Sequence, residues 1–119
     1  MPNADEWIIQ AYQDTRGRRP ANEFLDTLPP KDRARVIRTI ELLRTYGIEL
    51  GMPHTRHVVG KLWELRVPAG RLNYRLLCFA YIGRRFVLLH GFRKKTRKTP
   101  RQEIETALSR MNELLESEG

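Results

Sequence analysis

The apolar positions of this chain follow two rhythms, one of helices and one of strands. Trp7-Ile8-Ile9-Gln10-Ala11-Tyr12 is short and rich in aromatic and β-branched residues, as a strand is, and the polar Asp14-Thr15-Arg16-Gly17-Arg18-Arg19 ends it. Pro20 then opens a short helix with Phe24, Leu25 and Leu28 on its apolar side, and Pro29-Pro30 stops it. The spacing of Val36, Ile37, Ile40, Leu43 and Tyr46 predicts a second helix from about Lys31 to Tyr46, with Gly47 placed to take a left-handed conformation at its end. Ile48 to Gly60 reads as a loop. Beyond it the period drops to two. Three strands are predicted, Leu62–Val67, Arg71–Tyr81 and Arg85–Phe92, joined by Pro68-Ala69-Gly70 and a tight turn at Gly83. Connections that short force antiparallel neighbours. Thr99-Pro100-Arg101-Gln102 then supplies a capping threonine, a proline for the first turn and a glutamine for a capping box, and Ile104, Leu108, Met111 and Leu115 mark one face of a last helix.

The order strand, helix, helix, three-stranded meander, helix predicts a small α+β domain with helices against a mainly antiparallel sheet. Local pattern carries no instruction for how the first strand joins that sheet. At 119 residues, 40% of them apolar, residues 1–119 are expected to be one domain with a core large enough to need no staples. No apolar run approaches the eighteen or so residues of a membrane span, and Met-Pro-Asn-Ala-Asp-Glu lacks the basic and apolar regions of a signal peptide, so a cytoplasmic protein is expected. The single cysteine, Cys78, lies in Leu76-Leu77-Cys78-Phe79-Ala80 and reads as a small buried hydrophobe.

Charge changes this picture. Of the 22 basic residues, twelve lie between Lys61 and Arg101, where Glu64 is the one acid, giving that stretch +11 and leaving the remainder at −3. A field concentrated on one segment points to a polyanion, and nucleic acid is the first candidate.

Alternation puts Glu64 and Arg66 on one face of their strand, and Arg71, Asn73 and Arg75 on one face of the next. Aligned, these faces surround one carboxylate with cations, followed by the run Phe92-Arg93-Lys94-Lys95-Thr96-Arg97-Lys98. One reading is a solvated basic face with Glu64 as its neutralising partner. The other is phosphodiester chemistry on RNA: a base takes the 2′-hydroxyl proton, cations stabilise the phosphorane, and an acid protonates the leaving 5′-oxygen. Arginine forks suit the phosphate oxygens. Glu64 is then the candidate base, and Lys95 or Lys98 a candidate acid if neighbouring cations depress its pKa. His90, near the end of the last strand, is a further acid or base candidate, with packing in the strand as the competing reading. His54 and His57, three apart, have no third ligand nearby and read as loop histidines. Tyr74 and Phe92 each adjoin a candidate phosphate-binding arginine and are the candidate base-stacking residues. Neither a glycine-rich phosphate loop, a zinc-finger spacing nor a carboxylate cluster occurs, so no metal or cofactor is expected.

Gly60-Lys61-Leu62-Trp63-Glu64-Leu65-Arg66, then Asn73-Tyr74-Arg75-Leu76-Leu77, then Leu88-Leu89-His90-Gly91-Phe92-Arg93-Lys94-Lys95-Thr96-Arg97-Lys98-Thr99-Pro100, resemble in order and spacing the RelE/ParE toxin superfamily, most closely its phage-derived, HigB-like branch. The resemblance implies a RelE-like fold and the toxin of a type II toxin–antitoxin pair. Such a toxin is a ribosome-dependent endoribonuclease that cuts mRNA in the decoding site, against 16S rRNA, and is silenced by a small helix-turn-helix, HigA-like antitoxin. It places Glu64, Arg66, Arg75, Arg93, Lys94 and Lys95 where the family keeps catalytic and phosphate-binding residues; Glu64, Arg66, Arg75, Arg93 and Lys95 are taken as the candidate catalytic set, and Lys94, with Lys61, Arg71, Tyr74, Phe92, Arg97 and Lys98 of the basic stretch, as candidate RNA contacts. Base and acid stay open among Glu64, His90 and a lysine. Two alternatives remain at this point, a ParE-like inhibitor of DNA gyrase and a non-catalytic RNA- or ribosome-binding module.

Overall fold

The computed structural model describes residues 6–51 and 53–118, so the opening segment read above for a signal peptide lies outside it except for Glu6. The expected α+β class holds. Strands β1 (Ile8–Ala11), β2 (Thr55–Val59), β3 (Leu62–Ala69), β4 (Leu72–Tyr81) and β5 (Arg85–Arg93) form one sheet, and helices α1 (Pro20–Asp26), α2 (Pro30–Tyr46) and α3 (Arg101–Glu118) cover it. Sheet order is β1-β5-β4-β3-β2. The meander is antiparallel, as its short turns require, whereas β1 lies parallel to β5 with Ile8 opposite Arg85 and Ala11 opposite Leu88. Among the described residues no helix is long and apolar enough to cross a membrane.

Both faces of the sheet are buried, each by a different helical element. Val36, Ile40 and Leu43 of α2, with Ala21 of α1, pack on Leu65, Val67, Leu76, Cys78 and Leu88. Ala107 and Met111 of α3 pack on Leu62, Leu77, Phe79, Val87 and Leu89. Each fully buried side chain of this size contributes roughly 1.5–3 kcal/mol, so the two cores together carry the fold. Gly47 has φ +59°, as its place after α2 predicts, and a Cβ there would stand 2.0 Å from the Trp7 indole. That position has room for glycine alone.

Several expectations are corrected. The stretch from Ile48 to Gly60 is not simply a loop: a 3-10 turn, Gly47–Leu50, leads to the edge strand β2, which pairs with β3. As an edge it buries one residue, Thr55, and so shows no alternation. Ile37 and Tyr46 of α2 are exposed rather than on its core face. Pro29-Pro30 stops α1 and at once opens α2, because a proline fits a first turn whose N–H has no partner. Strand β3 runs on through Ala69, leaving Gly70 and Arg71 as the turn, with Gly70 at φ +65°. The capping box at Thr99 does not form. Glu103 N–H donates to the Pro100 carbonyl, and the Thr99 hydroxyl goes to Glu64 instead.

Between β4 and β5 the register slips: Leu77 pairs with His90 and Cys78 with Leu88, leaving Leu89 as the extra residue. A bulge of this kind turns successive side chains to one side. Leu89 and His90 therefore both face α3, and Gly91 turns to the helical hairpin, where a Cβ would meet the Phe24 ring at 2.3 Å.

A cationic groove at the open end of the sheet

Arg66 and Arg75 stand directly opposite each other on β3 and β4. Like charges so placed repel unless a negative charge lies between them. Glu64, two residues before Arg66 on the same face, supplies it: its Oε1 is 2.8 Å from Arg75 Nε and 4.0 Å from Arg66 Nε. Its other oxygen accepts a hydrogen bond from the Thr99 hydroxyl. Glu64 is 1% exposed and Arg75 4%, so this is a buried ion pair, and the guanidinium is held further by a 3.0 Å bond to the Tyr74 carbonyl. Burial pulls Arg75 below the ordinary arginine value, an effect that Glu64 opposes and Arg66 reinforces.

The chain leaving β5 is tied down at both ends. Lys94 N–H donates to the Asn73 carbonyl at 2.7 Å, and five residues later Thr99 reaches Glu64. This strap and the ends of β3 and β4 enclose an open groove of about 590 Å³. Seven cations line it, Arg66, Arg71, Arg75, Arg93, Lys94, Lys95 and Arg97, and among the described residues no carboxylate does. Lys94 is half-buried there, and its ammonium is held below the usual lysine value, first by burial and then by the charge of Arg75, with Arg66 and Arg56 adding to it and Glu64 opposing.

The groove gathers four of the five predicted catalytic residues and three of the predicted RNA contacts. Glu64 lies behind Arg75 rather than on the groove wall, as the partner that holds the guanidinium. Lys98 lines a separate cleft beyond the strap, and Lys61 sits in the β2–β3 turn at the other end of β3. Tyr74 and Phe92 are corrected as base-stacking residues. Tyr74 is 3% exposed on the hairpin side, where its hydroxyl donates to Asp32 at 2.6 Å, and that bond together with burial pushes its pKa up. Phe92 is buried under α3, stacked on His90. His90 lies away from the groove: Arg110 donates to its Nδ1 at 3.0 Å, which leaves the Nε2 proton facing Glu103. The packed reading of His90 is the one realised. Of the lysines on the strap, Lys94 has its pKa lowered, which makes it the acid candidate.

His54 and Asn73 went unread as site residues. With Pro53, Pro68, Arg66 and Arg75 they line a less polar cavity of about 250 Å³ beside the groove. His54 is brought there because β2 pairs with β3, and its carbonyl accepts the Arg66 N–H at 2.8 Å. Its signal was strand pairing, which a strand with one buried residue does not announce. Among the described residues no three His, Cys, Asp or Glu side chains come together as metal ligands would.

A small α+β fold with a basic groove at the open end of its sheet defines a class, and the sequence places the chain within it: the chain belongs to the Gp49-like phage-derived protein family, whose model matches residues 23–112. This is the phage-derived branch that its motifs resemble. Two relatives, from strains of Mycobacterium tuberculosis and both described as probable endoribonuclease HigB1, are each 34% identical to it over 115 residues, covering 92% of this chain and 89% of theirs.

Proposed function

We propose that this chain is the toxin of a type II toxin–antitoxin pair and an endoribonuclease that cuts mRNA on the ribosome. The observation that carries the reading is the Arg75 guanidinium, ion-paired with Glu64 in a groove that it and six other cations line, with no carboxylate among the described residues. Its relatives' description as probable endoribonucleases supports the same reaction.

In this reading the scissile phosphate sits on Arg75, with Arg66 and Arg93 on its other oxygens. Two groups flank Arg75 with the means to move a proton. His54 accepts the 2′-hydroxyl proton, the 2′-oxygen bonds to phosphorus, and the bond from phosphorus to the 5′-oxygen breaks as Lys94 gives that oxygen its proton. The products are a 2′,3′-cyclic phosphate and a 5′-hydroxyl. A fixed guanidinium acts here because it meets charge that develops only in the transition state, typically about a hundred- to a thousandfold in rate. Glu64, buried and ion-paired with Arg75, positions rather than reacts. The cavity between Pro53, His54 and Pro68 holds a neighbouring base, the place that Tyr74 and Phe92 do not provide. Arg71, Lys95 and Arg97 bind the flanking chain and 16S rRNA, and a HigA-like antitoxin silences the protein in the cytoplasm.

A gyrase inhibitor has no use for an arginine preorganised in a cationic groove, and that favours cleavage over the ParE-like alternative. The test is a reconstituted translation reaction. Cuts are expected only in translated mRNA, with 2′,3′-cyclic or 3′-phosphate ends, and 2′-deoxyribose at the cut site should block them. Intact mRNA during full growth arrest, with altered DNA supercoiling, would overturn the reading in favour of gyrase.

A further inference from the structure

We infer that the cleft on the far side of the strap, walled by Arg56, Arg97 and Lys98, is a second phosphate subsite that holds the RNA chain beyond the cleaved bond. The inference rests on the groove being an RNA site and names where its ligand goes next. The cleft measures about 230 Å³ and lies between β2 and the start of α3. Arg97 lines both it and the main groove, so the two share a wall and a chain can pass from one to the other.

Arg56 is the residue that nothing in the sequence singled out. It stands opposite Glu64 in the β2–β3 ladder, which turns its side chain to the face that carries Arg66 and Arg75. Its charge reaches the groove, where it helps to hold Lys94 below the ordinary lysine value. Glu64 is the one carboxylate on the cleft wall, and it is already committed to Arg75 and Thr99. Among the described residues no ion pair engages Arg56, Arg97 or Lys98. Three cations converging on one cleft whose carboxylate is already paired with Arg75 repel one another, and a phosphate relieves that repulsion. The cavity on the Pro53–His54 side adds no cation to those of the groove, so the next charge of the chain is matched toward β2.

The test measures binding of the full chain to non-cleavable 2′-O-methyl RNA, a dinucleotide and an octanucleotide, by anisotropy across a salt series. Variants are R56A/K98A, R75A, and R35A/R38A as a charge-matched control on exposed positions of α2. A single-strand phosphate contact contributes about 0.7 to the slope of log K against log salt. R56A/K98A is therefore expected to lower the octanucleotide slope by about 1.4 while leaving the dinucleotide unchanged, and R56K/K98R to restore it. R35A/R38A should move neither. Equal weakening of both oligonucleotides, or equal effects of the two double variants, would overturn the subsite in favour of a diffuse field. Loss with R75A but none with R56A/K98A would overturn the subsite and leave the groove standing. No RNA binding, or binding indifferent to R75A, would overturn both. Melting curves check that each variant is folded.

Discussion

Two charged clusters sit on the same face of the sheet and meet opposite fates. Under α3, His90, Glu103 and Arg110 satisfy one another, with Arg110 also donating to the Leu89 carbonyl at 2.9 Å. Where α3 no longer covers the sheet, Glu64 and Arg75 form an equally local pair, yet six further cations line the groove with Arg75 and, among the described residues, no acid does. A cluster that only docks a helix ends balanced. The imbalance at the open end is sustained by a strap and a buried carboxylate, which is the mark of a site built for an anion from outside.

The comparison breaks first on stability. Glu64→Gln leaves the Arg75 charge buried without a partner and is expected to cost about 3–5 kcal/mol, whereas Glu103→Gln, at a side chain 27% exposed, should cost about 1 kcal/mol or less. Urea midpoints of the two variants measure it, and equal shifts would mean that the open cluster is no more buried in solution than the covered one.

Activity should divide the clusters next. Arg75→Ala is expected to slow single-turnover cleavage on programmed ribosomes about a hundred- to a thousandfold at saturating toxin, and Arg110→Ala less than about threefold where both variants are folded. Similar losses would place the chemistry elsewhere.

A pH profile sharpens the difference. Lys94 donates a proton in the proposed step, so the alkaline limb of the rate profile should fall as pH rises through its pKa, below the 10.5 of an ordinary lysine, while His54 as base governs the acid side. Arg66→Ala removes a neighbouring positive charge and should move that limb to higher pH, while Glu103→Gln leaves it in place. A limb that ignores Arg66 would remove Lys94 from the role.

The smallest effect belongs to Arg84, in the β4–β5 turn at φ +55°. Arg84→Ala subtracts the same unit charge as Arg75→Ala but is expected to change saturated turnover less than about twofold, since a surface charge acts mainly on encounter. Equal losses would make the groove a diffuse field.

Much of this was legible in the sequence because strands alternate. The period-two run correctly put Glu64 with Arg66, and Asn73 with Arg75, and the same logic speaks against Tyr74, which shares its parity with Leu76 and Cys78 of the hairpin-side core. Phe92 is different. It shares the Arg75 face, and only the docking of α3 buries it. The burial of Glu64 was hidden for a similar reason, since it depends on Thr99 arriving from 35 residues away. The parallel seat of β1 depends on a partner distant in sequence, whereas β2 pairs with its neighbour β3 but, as an edge strand with one buried residue, left no local periodicity, and with it went His54 and Arg56.

That seat of β1 bears on when the groove can form. The first strand to be synthesised waits for almost the last, Ile8 for Arg85, and the groove is complete only when the strap has followed and Thr99 has met Glu64. Pairings between the ends of a chain are slow to close, and a nascent chain cannot make them early. The groove therefore belongs to the finished chain, and a nascent chain that has not yet released β5 and the strap has no such groove.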